Sequence, residues 1–163
     1  MEEWQPIHEF FGYSISNHGR VCNTRTGRIM SLSENQRSLV IVGMMLNGLH
    51  YKRTVSHLVA KAFLPAPQHE TFDSVINLDG DRRNNWASNL AWRPRWFALI
   101  HQAQFNTRIP GSGIPIADME TGEEFINVWD AVIKYGLLIA DVTQSIHHQT
   151  VVWPTNQRFW RLD

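Results

Sequence analysis

The acidic and histidine residues in the middle of the chain are of types that could support metal-dependent chemistry. Asp79 and Asp81 lie two positions apart in a polar stretch, and His101 follows on a predicted helix. A carboxylate pair with one imidazole could bind Mg²⁺ or Mn²⁺. The simpler alternative is that Asp79 and Gly80 form a turn and that Asp81 is solvated.

The other histidine and cysteine residues that we considered are interpreted as structural. Adjacent residues on a helix point about 100° apart, so His147 and His148 indicate a helix end rather than a metal site. His57 is expected at the start of a helix, beside a capping Ser56. The single cysteine, Cys22, cannot form an internal disulfide or a cysteine-based zinc site. It indicates a reducing, intracellular environment and is expected to be a small buried residue.

Charge is balanced over the whole chain but unevenly distributed along it. Fifteen Lys and Arg residues match fifteen Asp and Glu residues, so net charge predicts no nucleic-acid or membrane partner. Residues 1–67 hold seven basic against four acidic residues, whereas residues 109–163 hold three against seven. Twelve of the basic residues are Arg, whose planar guanidinium binds phosphate bidentately. This bias suits recognition, and an ordinary mixed surface is the alternative.

Composition and apolar patterning limit the protein class. A hydrophobic content of 43% in 163 residues is enough for a packed core. The longest apolar run, residues 39–46, has eight residues, and a membrane span needs about 18 or more. We therefore expect no transmembrane helix. The acidic first residues lack an apolar segment, which predicts no signal peptide.

Two proline-containing breaks predict three modules. Pro65-Ala66-Pro67 is a stiff break after an apolar segment, and residues 106–115 contain the Pro and Gly residues typical of a linker. The predicted modules are residues 1–66, 67–106 and 107–163.

Local patterns predict short strands and helices in each module. In the first, strands are expected at Tyr13–Ser16 and within residues 19–30, and Asn47-Gly48 predicts a tight hairpin between residues 39–46 and 49–55. A helix capped by Ser56 follows. In the second, strands at residues 75–78 and 90–92 enclose a polar turn, and a helix is expected over residues 95–105. In the third, a hairpin turning at Thr121-Gly122 precedes two helices separated by Gly136, and a final strand covers residues 158–162.

Three consecutive segments resemble the phage and intron-associated HNH homing endonucleases, and the resemblance covers nearly the whole chain. The N-terminal segment with the similarity is Trp4-Gln5-Pro6-Ile7 followed by Gly12-Tyr13-Ser14-Ile15-Ser16-Asn17-His18-Gly19-Arg20-Val21. The segment before the core is His57 to Pro67. The segments similar to the nuclease core are Leu78-Asp79-Gly80-Asp81, Asn84-Asn85 and Asn89-Leu90-Ala91-Trp92. The last part, from Thr121-Gly122 through Gly136 to Phe159-Trp160, is similar to the family's C-terminal helix-turn-helix module.

The resemblance implies an α+β fold: a small antiparallel N-terminal sheet plus helix, a ββα-metal-like core, and a C-terminal hairpin plus helix-turn-helix. In the family, a His ending the first core strand acts as general base, and neighbouring polar side chains hold one divalent cation. This sequence departs from that pattern. Asn77 stands at the base position, Ile76 at a ligand position, and Ala98 where the helix carries an Asn. Asn89, the residue that braces the hairpin, is retained.

The resemblance with these departures predicts a DNA-binding protein on a catalytically degenerate scaffold, phage-encoded, acting in the cytoplasm of a bacterial host. No cofactor is expected. One alternative is an active nicking enzyme in which Asp79, Asp81 and His101 hold Mg²⁺ or Mn²⁺. The other is an interaction protein that binds a host enzyme, since Trp is enriched at protein interfaces. The expected partner is double-stranded DNA, with a host protein as the alternative partner, and no membrane. The expected DNA contacts are Arg20, Arg25, Arg28, Lys52, Arg53, Arg82, Arg83, Arg93, Arg95, Thr143 and Gln144.

Overall fold

The computed structural model describes residues 1–107 and 113–163, and the chain forms two compact units. One unit, here the N-terminal unit, comprises residues 1–77 and 81–95. The other, the C-terminal unit, comprises residues 78–80 and 96–163. Pro110, Gly111 and Ser112 of the predicted linker lie outside the described residues. The fold is mixed α+β with small antiparallel sheets, which confirms the predicted fold class.

The N-terminal unit holds two antiparallel sheets, a hairpin and one helix. The first sheet has the order β1-β2-β3-β4, and the second has the order β5-β6-β7. The hairpin pairs β8 with β9. The strands are β1 Trp4–Pro6, β2 Tyr13–Ser16, β3 Val21–Asn23, β4 Arg28–Ile29, β5 Leu32–Glu34, β6 Val40–Leu46, β7 Leu49–Thr54, β8 Ser74–Asn77 and β9 Leu90–Arg93. The helix is α1 Val55–Phe63, and a short 3₁₀ turn at Ala87–Asn89 precedes β9.

The hairpin predicted at Asn47-Gly48 is confirmed. Asn47 and Gly48 have φ angles of 51° and 77° and join β6 to β7. Both central residues of this type of turn need positive φ, which Asn and Gly tolerate best. The register places Met44 opposite Tyr51 and Gly43 opposite Lys52. The turn therefore fixes which side chains of β6 and β7 face the core.

The helix after this hairpin begins two residues earlier than predicted. Thr54 is the N-cap of α1, with no side-chain capping hydrogen bond, so the prediction that Ser56 caps the helix is wrong. The physical reason is that β7 runs directly into α1 and the chain has no separate capping loop. His57 lies in the first turn, as expected. Leu58 and Val59 are buried in a core shared with Ile15, Val42 and Met44.

The C-terminal unit contains a small sheet and three helices. Its strands are β10 Ile116–Asp118, β11 Glu124–Phe125 and β12 Phe159–Arg161, in the order β11-β10-β12. Its helices are α2 Arg95–Gln104, whose first residue belongs to the N-terminal unit, α3 Val128–Tyr135 and α4 Ile139–His148. Gly136 ends α3 with a φ of 60°, as predicted for a residue in the left-handed region.

Helix α2 belongs to the C-terminal unit through polar and aromatic contacts. The Gln104 side chain donates a hydrogen bond to the Leu137 carbonyl at 3.0 Å and accepts one from the Ile139 backbone N–H at 2.9 Å. The Phe97 and Trp153 rings lie 5.7 Å apart in an edge-to-face arrangement.

Within the described residues, no helix has the length and apolar character of a membrane span.

Candidate nucleic-acid interface and nuclease-like hairpin

The hairpin of β8 and β9 carries two of the positions that the resemblance assigns to chemistry. Ile76 pairs with Ala91 and Asn77 pairs with Leu90. Ile76 is 4% exposed and Asn77 is 6% exposed. The Asn77 amide donates hydrogen bonds to the Asn84 carbonyl at 2.9 Å and to Asn85 Oδ1 at 3.2 Å. An alkyl side chain has no ligand atom for a cation, and an amide does not accept a proton near neutral pH.

Asparagine side chains hold the loop between these two strands. The Asn89 amide donates to the Asn84 carbonyl at 2.8 Å, so this carbonyl accepts from both Asn77 and Asn89. The Asn85 amide donates to the Arg82 carbonyl at 3.3 Å. Of these asparagines, the resemblance predicts only Asn89 as a residue that holds the hairpin. The density of Asn residues between positions 77 and 89 is the signal that could have indicated the others, because buried amides need hydrogen-bond partners.

The alternative metal-binding residues have different environments. Asp79 is half-buried, and Asp81 is exposed and accepts a hydrogen bond from the Arg83 backbone N–H at 2.9 Å. His101 is 1% exposed on α2, with the Phe105 ring 5.1 Å away. Ala98 is half-buried on the same helix. Across residues 1–107 and 113–163, no three His, Cys, Asp or Glu side chains are grouped as a metal site would require.

Three predicted DNA-contacting arginines are paired with acidic or carbonyl groups; Arg20 and Arg83 are exposed and Arg82 is half-buried. Arg20 forms an ion pair with Glu2, and a hydrogen bond from Arg20 lowers the pKa of Glu2 to about 2. Arg83 lies 2.7 Å from Glu34, and Arg82 donates to the Arg37 carbonyl. Exposed ion pairs contribute only about 0–1 kcal/mol. The carboxylate contacts of Arg20 and Arg83 are therefore weak in water.

The remaining predicted DNA contacts in the N-terminal unit are five exposed residues and one buried residue. Arg93 is 7% exposed, donates to the Trp92 carbonyl at 2.8 Å, and has its pKa lowered to about 10 by desolvation. A phosphate contact requires an accessible guanidinium group. The Arg93 guanidinium is not presented at the surface, in contrast to the prediction for this residue. The exposed ones are Arg25, Arg28, Lys52, Arg53 and Arg95.

Two of the exposed residues line a depression beside β6. Arg28 and Lys52 lie around a surface cavity of about 340 Å³ together with Ser31, Ser33 and His50. A Cβ atom at Gly43 would lie 2.4 Å from His50 Nε2, so the glycine leaves room for the imidazole. The apolar side chains of Met30 and Ile41 line the same depression, so its surface is mixed in character.

The predicted recognition residues lie on the outer face of α4. Thr143 and Gln144 are exposed, and the Thr143 hydroxyl donates to the Ile139 carbonyl at 2.8 Å. His147 and His148 are exposed one turn further on and close the helix, as interpreted from the sequence. Asp141 is half-buried, and desolvation raises the pKa of its carboxyl group. Gln144 is therefore the side chain of this face best suited to bidentate base contacts.

Comparison with known proteins gives one motif, two curated relatives and one solved structure. Residues 2–43 match the NUMOD4 motif. An uncharacterized HNH endonuclease, L245, of Acanthamoeba polyphaga mimivirus is 31% identical over 90 residues, covering 55% of this chain. A second, L247, from the same virus, is 29% identical over 143 residues, covering 83% of this chain. The chain spans only 26% and 36% of the length of these relatives.

The structural comparison concerns the fold. The structure described as DNA binding and cleavage by the HNH homing endonuclease I-HmuI superimposes with a TM-score of 0.57 at 21% identity. The match covers 98% of both chains. The similarity therefore extends over the N-terminal sheets, the hairpin and the C-terminal helices, and it supports the same architecture in both proteins.

Proposed function

We propose that this chain, which carries a NUMOD4 motif at residues 2–43 and is similar to HNH endonucleases, belongs to that family, binds double-stranded DNA and does not cleave it. The observation that carries the proposal is the Asn77 side chain. It stands at the position that the resemblance assigns to the general base, yet it is buried and its amide is hydrogen-bonded to Asn84 and Asn85. In this proposal, a residue that would activate water has become a brace for the hairpin loop.

Loss of the metal site is the second part of the proposal. Ile76 contributes hydrocarbon to the core, and Ala98 offers a methyl group where the family carries a polar side chain. Losing a general base alone costs typically about 10²–10⁴-fold in rate. Losing the Lewis acid in addition would remove charge stabilisation at the phosphate. Together these losses would bring cleavage below detection.

DNA binding would use the exposed basic residues of the N-terminal unit for affinity and the outer face of α4 for sequence preference. Phosphate contacts position a protein on DNA, whereas contacts to base edges specify the sequence. The division into three modules, the phage origin and the cytoplasmic location stay predictions from the resemblance. An active nicking enzyme and a host-binding protein are the outcomes that would replace this proposal.

The test measures binding and cleavage separately. We expect the protein to shift random duplex DNA at 50 mM salt and to leave supercoiled plasmid intact with either Mg²⁺ or Mn²⁺. The double variant Arg82→Ala with Arg83→Ala should weaken binding for all sequences, because both residues are expected to contact the backbone. No gel shift by the wild-type protein would favour a protein partner. Equal affinity of wild type and the double variant would remove these two arginines from the interface.

A restoration variant tests the degenerate core. Ile76→Asn, Asn77→His and Ala98→Asn together rebuild the family's polar positions, and plasmid nicking by this variant alone would support the proposal. Its folding must be checked by thermal unfolding, because Asn77→His also changes the hydrogen bonds to the loop. Nicking by the wild-type protein, abolished by Asp79→Ala or His101→Ala, would instead establish an enzyme with shifted ligands.

A further inference from the structure

An exposed indole on the loop between β8 and β9 is backed by an imidazole from another turn. The Trp86 and His18 rings are stacked, with centroids 4.1 Å apart and an angle of 9° between the ring planes. Trp86 is nevertheless 51% exposed, whereas His18 is half-buried. Because the imidazole covers one face of the indole, much of the exposed area lies on the remaining face and edge of Trp86.

Backbone contacts hold the two rings in this arrangement. The Ala87 backbone N–H donates to the Asn17 carbonyl at 2.8 Å, which joins the Trp86 loop to the His18 turn. Gly19 has a φ of 82°, and a Cβ atom there would lie 3.2 Å from the Asn85 Cβ atom. The Asn85 side chain in turn accepts the hydrogen bond from Asn77. The aromatic pair is therefore attached to the braced hairpin loop rather than to a free surface segment.

The surroundings of the pair suit a nucleic acid. Arg20 follows His18 by two residues, and Arg82 and Arg83 precede Trp86 in the same loop. Their carboxylate and carbonyl contacts are exposed and thus weak in water. An exposed aromatic ring with arginines nearby along the chain is the combination by which proteins hold unstacked bases next to a phosphate backbone.

We propose that Trp86, backed by His18, stacks on a nucleobase that is unpaired or displaced from the duplex. The inference rests on the proposed DNA binding and adds a preference for distorted or locally opened DNA. A pre-stacked ring loses little rotational freedom on binding, so most of the stacking free energy contributes to affinity. Since stacking is not ionic, its contribution should be nearly independent of salt, unlike that of the arginines.

The test compares a perfect duplex with the same duplex carrying a short bubble of unpaired bases, using the full chain and fluorescence anisotropy. We expect wild type to prefer the bubble by about 5- to 150-fold, the range for stacking one base on an aromatic side chain. Trp86→Ala should abolish this preference and leave the salt dependence of duplex binding unchanged, because it removes no charge. Trp86→Phe should retain part of the preference. A 2-aminopurine in the bubble should lose fluorescence on binding to wild type and not to Trp86→Ala.

Trp160→Ala is the matched control, because Trp160 is 49% exposed on β12 in the other unit. This variant should keep the preference for the bubble. A preference that survives Trp86→Ala, or none in wild type despite duplex binding, would overturn the stacking inference while leaving the proposed function intact. Binding to neither probe would overturn both. If Trp86→Ala is unstable, His18→Ala, which removes only the backing ring, should lower the bubble preference in a folded protein.

Discussion

Asn77 shows how one residue can be unsuited to catalysis and important for stability. Its amide donates two hydrogen bonds inside the hairpin, and the side chain is 6% exposed. Asn77→Ala should lower the free energy of unfolding by about 1–3 kcal/mol, the cost of leaving buried polar groups unsatisfied. Urea denaturation measures this change. Exposed Asn106→Ala is the control and should change stability by less than about 0.5 kcal/mol. If Asn77→Ala and Asn106→Ala changed the free energy of unfolding equally, the loop would not depend on the hydrogen bonds of Asn77.

Residue types were informative about chemistry but not about burial. That Asn77 offers no proton acceptor and Ile76 no ligand atom for a cation follows from the side chains alone. The hydrogen bonds from Asn77 to Asn84 and Asn85 depend on how the loop closes, which residue types do not specify. Arg93 is a similar case, since an Arg at the end of a short strand was expected at the surface and is instead 7% exposed.

Helices and strands were predictable where a single local feature determines the backbone. Asn47-Gly48 and Gly136 occupy positive φ angles that other residues adopt at a cost, so the hairpin and the end of α3 follow from the sequence. The start of α1 was not predictable from capping preference, because β7 continues directly into the helix at Thr54. The assignment of α2 to the C-terminal unit depends on Gln104, whose partners are 33 and 35 residues away along the chain.

A partly buried hydrogen bond connects β10 to α3 in the C-terminal unit. The Tyr135 hydroxyl donates to Asp118 Oδ2 at 2.8 Å, and Asp118 is fully buried. Tyr135→Phe should lower stability by about 1–3 kcal/mol, since it removes one donor to a buried carboxylate. Tyr51→Phe in the other unit is the control, because Tyr51 packs its ring against Phe10. A loss no larger than that of the control would contradict a structural role for the Tyr135 hydroxyl.

The same tyrosine predicts a pH dependence. Desolvation, followed by the hydrogen bond to Asp118, raises the pKa of Tyr135 from 10.0 to about 12. A folded-state pKa above the unfolded one means that the phenol stabilises the fold below pH 10 and that this contribution is lost as pH rises towards 12. The stability difference between wild type and Tyr135→Phe should therefore shrink over this interval. A constant difference in denaturation experiments from pH 9 to 11 would show that the hydroxyl is not shifted.

Helix α4 offers a test of sequence preference. Gln144 is exposed on its outer face and can form two hydrogen bonds to adenine in the major groove. Gln144→Ala should reduce discrimination between a selected site and random duplex by about 1–3 kcal/mol, or roughly 5- to 150-fold. Affinity for random duplex should stay the same, because the change removes no charge. Competition binding after selection from a random library measures both quantities, and an unaltered preference would assign α4 a structural or protein-binding role.

At the scale of the whole molecule, opposite charges separate the two units. The N-terminal unit holds eleven Lys and Arg residues against seven Asp and Glu, a net charge of +4. The C-terminal unit holds four against eight, a net charge of −4. The net charge of zero is therefore the sum of a cationic unit, which attracts phosphate groups, and an anionic unit, which repels them. The uneven charge along the chain, seven basic against four acidic residues in 1–67 and three against seven in 109–163, already indicates this separation in the sequence.

The charge separation predicts that a shorter chain binds random DNA more tightly. Residues 1–95 contain β1 to β9, α1 and the whole N-terminal core, and should unfold cooperatively on their own. At 50 mM salt this fragment should bind random duplex more tightly than the full chain, since it lacks the anionic unit. The difference should shrink at 200 mM salt, because screening weakens repulsion between the acidic residues and phosphate. Anisotropy titrations at both salt concentrations measure this difference in affinity.

A fragment of residues 1–107 is the control for the position of the truncation. It keeps α2 without the partners of Phe97 and Gln104 and should be less stable. Weaker binding by a folded 1–95 fragment at low salt would contradict this prediction. It would show that residues 96–163 contribute more to DNA affinity through contacts than their negative charge removes by repulsion.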